Sequence, residues 1–151
     1  MKKSGLIAVC AFIPTCTGIN LTVDAYSFGE HHYSSANDVG FQIVSANIPR
    51  ESKNIELHLT KGAFAAKFQI TETDLNEWFN NVWKEKGERA AFEMKKTAVV
   101  VFQLPSHLAS YGWNLPGEYI EYEGPIFKNG SGSQLFFDKQ NNIAYQFYAF
   151  W

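Results

Sequence analysis

The chain has 151 residues, 46% of them hydrophobic and 16% aromatic, which is enough for one domain with a packed core and too apolar for a disordered chain. A formal charge of −2 leaves no basic footprint, so nucleic acid is excluded as a leading partner. There is no internal repeat at a spacing of about 20–50 residues and no apolar run of about 18 residues to span a bilayer.

Residues 1–18 begin with Lys2 and Lys3, continue through a short apolar core at 5–13, and leave through Thr15, Cys16, Thr17 and Gly18. A positive start, an apolar core and a small, polar exit make a secretory signal. Both cysteines, Cys10 and Cys16, fall inside it, so no disulfide is expected in the domain that follows. The run Ile13, Pro14, Thr15, Cys16 resembles the signal of bacterial lipoproteins, in which the Cys becomes the lipidated first residue of the mature chain. That resemblance covers only these first residues. It departs from the usual pattern at Ile13, where Leu is common, and at Thr15, where a smaller residue is common. It implies lipidation of Cys16 and a membrane-anchored place in the cell envelope. A soluble exit after Val23, Asp24 and Ala25 would give a periplasmic or secreted protein instead. A buried strand at residues 6–13 would give a cytoplasmic one.

Residues 19–33 are polar, contain Gly29 and show no clear period, as expected of a tether. The folded domain is therefore placed at 34–151. Residues 34–38 offer caps and turn formers, and 41–48 reads as a strand closed by Pro49. Ile55, Leu57 and Leu59 alternate with Glu56, His58 and Thr60 as in a half-buried strand. Lys61 and Gly62 turn the chain into a second alternating run, Phe64, Ala66, Phe68 and Ile70 against Ala65, Lys67 and Gln69, which predicts a hairpin.

The strongest periodic signal follows at about 72–86. Leu75, Trp78, Phe79, Val82 and Trp83 recur at helical spacing on one face, opposite Asn76, Glu77, Asn80, Asn81, Lys84 and Glu85. Thr71 is placed to cap the N-terminus with Asp74 three residues on, Glu72 and Asp74 suit the positive end of the helix dipole, and Gly87 supplies a left-handed stop. Residues 98–102 read as a β-branched strand covered on both faces. A long connection around Trp113 follows, then three short strands near 119–123, 134–137 and 143–150, the last two forming a hairpin. The fold class is thus α+β: one domain with a mainly antiparallel sheet of about six strands and one principal amphipathic helix across a face.

Chemistry-bearing patterns are sparse. Glu30, His31 and His32 form the most metal-like cluster, but neighbouring strand residues point to opposite faces and the segment reads as tether, so no metal site is expected. His58 and His107 each stand alone. Asp138, Gln140 and Asn142 imitate a calcium loop without its Gly and terminal Glu, and a turn is expected there. Residues 129–133 lack the ending of a phosphate-binding loop. No catalytic residue and no cofactor is assigned. The remaining candidate is a partner-binding surface of Trp113, Glu118, Tyr119, Glu121, Tyr122 and Glu123, where aromatic rings and carboxylates suit a protein contact. The expected role is a non-enzymatic protein-binding one in the envelope, of the immunity-protein, inhibitor or assembly-factor type. A small exported enzyme with a loop-built site is the alternative.

Overall fold

The computed structural model describes residues 28–86, 99–113, 117–126 and 130–150. The expected leader, Cys16, Ala25 and the first part of the expected tether lie outside these residues. So does Gly87, and the side chain of Trp83 is not among those described.

Among the described residues seven strands form one antiparallel sheet: β1 (Gly29–Ser35), β2 (Lys53–Thr60), β3 (Ala63–Gln69), β4 (Val99–Val101), β5 (Tyr119–Ile126), β6 (Gly132–Asp138) and β7 (Ile143–Ala149). Their spatial order is β1-β2-β3-β7-β6-β5-β4. Two meanders, β1 to β3 and β4 to β7, therefore join side by side through β3 and β7, with Ala66 opposite Gln146. Tight turns fix the registers. Gly62 takes φ 85° between β2 and β3, and Asn142 takes φ 55° between β6 and β7, a conformation that Gly and Asn tolerate best. Both carboxylate oxygens of Asp138 are used inside that second turn, accepting from the Asn141 backbone at 3.0 Å and its side-chain amide at 2.7 Å.

Two segments differ from the sequence expectation of about six strands with a tether over 19–33. Residues 29–33 belong to β1. Their period is weak because β1 is an edge strand with one neighbour among the described residues: His31 and Tyr33 are half-buried while Glu30, His32 and Ser34 are exposed. Residues 41–48 leave the sheet. Gln42–Ser45 is a single helical turn, α1, with the Val44 and Ser45 amides donating to the Phe41 carbonyl and the Asn47 amide side chain donating to the Ile43 carbonyl. Phe41, Val44 and Ile48 are spaced for a helical face, and Val44 and Ile48 are buried.

The principal helix, α2 (Glu72–Lys86), starts as the capping residues require. The Asp74 amide donates to Thr71 Oγ1 at 3.1 Å, and that hydroxyl donates to Asp74 Oδ2 at 2.7 Å. Leu75, Phe79 and Val82 are buried and Trp78 packs at their edge, while Glu77, Asn80 and Asn81 are exposed. This face lies on a layer made by alternate strand residues, among them Leu57, Phe64, Phe68, Tyr122, Leu135 and Phe137. Gln146 is a fully buried polar member of this layer, its Nε2 donating to the Asn47 carbonyl and to Ser133 Oγ at 2.9 Å each. It ties the end of α1 to the sheet.

The opposite face of the sheet carries a second, smaller core. Ala65, Phe136 and Tyr145 from the strands meet Tyr119 and a roof formed by residues 104–113, from which Leu104, Leu108 and Trp113 are buried. The roof turns sharply at Gly112, whose φ is 82°.

Candidate functional site

Polar side chains collect at one border of this second core, because strand parity puts them there. On β1, Glu30 lies opposite His58 of β2, and His32 lies opposite Glu56. Directly paired residues share a face, so two carboxylates and two imidazoles form a crossed block. Lys67 of β3 pairs with Glu56 and adds an ammonium to it. Tyr111 and Trp113 close over the block, their rings 4.6 and 5.3 Å from that of His58.

Glu56 is the most heavily contacted group. One of its oxygens accepts the Trp113 indole N–H at 2.6 Å and the other accepts Lys67 Nζ at 3.2 Å. His58 Nε2 stands 3.5 Å from Glu56 Oε1, within ion-pair range but outside hydrogen-bond geometry, so this nitrogen is buried with no hydrogen-bond partner among the described residues. Burial pushes the Glu56 carboxyl up, but the Trp113 indole, Lys67 and His58 together outweigh it and hold the group below its ordinary value. Glu30 is exposed and bonded at 2.8 Å to His32 Nε2. One ligand-type atom each from Glu30, Glu56 and His58 lies within 4.8 Å of the other two. An open groove of about 540 Å³ borders the block, lined by His32, Ser34, Asn54, Glu56, Lys67 and Gln69 among others.

The expected partner surface is divided by the fold. Trp113 and Tyr119 are buried in the second core. Tyr122 is buried on the other face, stacked on Phe79 of α2 with centroids 4.7 Å apart. These three rings therefore form no exposed aromatic patch: Trp113 and Tyr119 belong to the second core and Tyr122 to the layer under α2. Glu118 is exposed. Glu121 is half-buried and accepts from Gln134 Nε2 at 2.6 Å, so its carboxylate is paired. Glu123 pairs through its backbone with Gln134.

Exposed apolar side chains occur instead one strand further out. Among the described residues β4 ends the sheet and pairs only with β5. Val99 and Val100 are each 51% exposed, and Phe102 just beyond them is 73% exposed. His107 lies elsewhere on the roof, its ring against Phe147 and its pKa lowered by burial.

Sequence reasoning does not assign Glu56 or Lys67. Alternation places both on the polar face of their hairpin, which reads as a solvated face, and nothing local announces the roof that covers it. No family model, curated protein or solved structure matches the chain.

Proposed function

We propose that the protein is a non-enzymatic binding protein of the cell envelope, anchored by lipid on Cys16, that takes an extended, basic segment of a protein partner onto the free edge of β4. The observation that supports this most is the edge itself. Among the described residues β4 has a strand neighbour on one side only, and Val99 and Val100 within it and Phe102 just after it are exposed; such an edge is a template for strand addition. Glu118, exposed beside it, suits Lys or Arg on the incoming strand and would chiefly raise the association rate. The partner surface thus keeps the acidic side of the sheet expected from the sequence but runs through β4 rather than through Trp113.

A photo-crosslinking residue at position 100, introduced in the native host, tests the reading. It is expected to capture one protein partner, with capture lost in a folded Phe102→Asp variant and absent for the same probe at position 81 on α2. If folded Val100→Lys and Phe102→Asp variants keep every partner and the biological phenotype, the edge is not the binding site.

A further inference from the structure

We propose that Glu30, Glu56 and His58 bind a divalent transition-metal ion of the zinc class, at the edge of the sheet opposite to β4 and independently of the protein-binding role. No such site is expected from the sequence, because Glu30 and His58 are far apart along the chain and become neighbours only through the pairing of β1 with β2.

Three observations converge. The donor set is one imidazole and two carboxylates, a combination suited to zinc and cobalt. Their ligand-type atoms lie within 4.8 Å of one another. Donors sharing one such ion stand about 3–3.5 Å apart, given bonds of about 2.0–2.2 Å, so an inward movement of the exposed Glu30 side chain completes the set. The third observation is the buried His58 Nε2, which has no hydrogen-bond partner among the described residues. It faces the Glu56 carboxylate at 3.5 Å without a hydrogen bond; a buried nitrogen left so poorly satisfied is costly, and a cation between the two groups supplies the missing interaction.

The surroundings also fit. Metal-bound carboxylates and imidazoles are commonly held by a second layer of hydrogen bonds. Here His32 holds Glu30, and the Trp113 indole and Lys67 hold Glu56. The groove beside His32, Glu56 and Lys67 gives an ion a path from solvent. Lys67 works against the charge of a cation, so the net attraction comes from two carboxylates against one ammonium. An affinity in the moderate range follows, with water completing the coordination.

The test uses the full chain without a histidine tag, carrying Cys10→Ser and Cys16→Ser so that thiolates cannot take the metal. After stripping with chelator, Co²⁺ is titrated in and followed by its visible absorption, with Zn²⁺ in competition. One equivalent is expected to bind, and Zn²⁺ is expected to raise the thermal midpoint. Glu30→Gln, on an exposed edge strand where folding is not at stake, is expected to weaken Co²⁺ binding at least about tenfold and to abolish the Zn²⁺ shift. His58→Gln should do the same if folded. The assignment is overturned if the parent chain takes up no Co²⁺, or if folded Glu30→Gln binds it as tightly as the parent.

Discussion

Tyr145 places a hydroxyl in the interior with no hydrogen-bond partner among the described residues, and its side chain is fully buried between Trp113 and Tyr119. Burial, reinforced by Tyr119, Asp138 and Glu56, pushes its pKa up to about 12. A phenol raised above its ordinary value keeps its proton in the folded state after the unfolded chain has lost it. The Tyr145 contribution to stability is therefore fully present below about pH 10 and is lost as pH rises toward about 12, by about 2–3 kcal/mol. Tyr145→Phe is expected to raise stability at neutral pH by about 1 kcal/mol, since it removes a buried unsatisfied group, and to flatten part of the alkaline limb. Urea midpoints measured across that pH range check both. The flattening is partial because Tyr33, Tyr119, Tyr122 and Tyr148 are shifted in the same direction. At Trp113 the ring and the N–H separate cleanly. Trp113→Phe keeps most of the packing but leaves Glu56 without its closest donor, and a loss of about 1.5–3 kcal/mol is expected. NMR titration should show the Glu56 pKa rise in that variant. At this scale the sequence was least legible: alternation puts Glu56, His58 and Lys67 on one face correctly, but the pairing that brings Glu30 to them and the roof that dries them are tertiary facts.

At the scale of elements, α2 shows what local signals carry. Its N-cap, its acidic first turn and its 3.6-residue period agree, and the buried set of Leu75, Phe79 and Val82 follows from the period. Phe79→Ala is expected to cost about 3–5 kcal/mol, Asn81→Ala less than about 0.5 kcal/mol, and Thr71→Ala about 1 kcal/mol through loss of the cap. Equal denaturation midpoints for the first two would contradict the helix register. The hairpin of β2 and β3 was equally readable, because alternation and Lys61-Gly62 point the same way. α1 was not. In an eight-residue stretch, Phe41, Val44 and Ile48 fit a helical face while Phe41 and Ile43 fit a strand, and only packing against the sheet decides. β1 was missed for another reason: an edge strand with polar residues on its open side lacks the apolar alternation that marks a strand.

For the whole molecule, the order of strands was beyond local reading, since nothing near residue 66 or residue 146 says that they will be neighbours. The place of the domain in the cell is a separate question, and the proposed anchor on Cys16 can be tested directly. Cys16→Ser is expected to move the protein from the membrane fraction to a soluble one, or to leave an unprocessed precursor; intact mass and fractionation distinguish these from an unmodified cytosolic chain, which would contradict the anchor. The junction of the two meanders has a further effect, on timing. The first meander, β1 to β3, has an inner edge that only β7 fills, so residues 28–69 by themselves make a half-sheet whose central neighbour is still missing. Closing that edge requires a loop spanning α2, β4, β5 and β6, and such non-local pairing is slow compared with helix or hairpin formation. The sheet therefore cannot close before β7 is available, and the β3 edge of the first meander is expected to stay open until then.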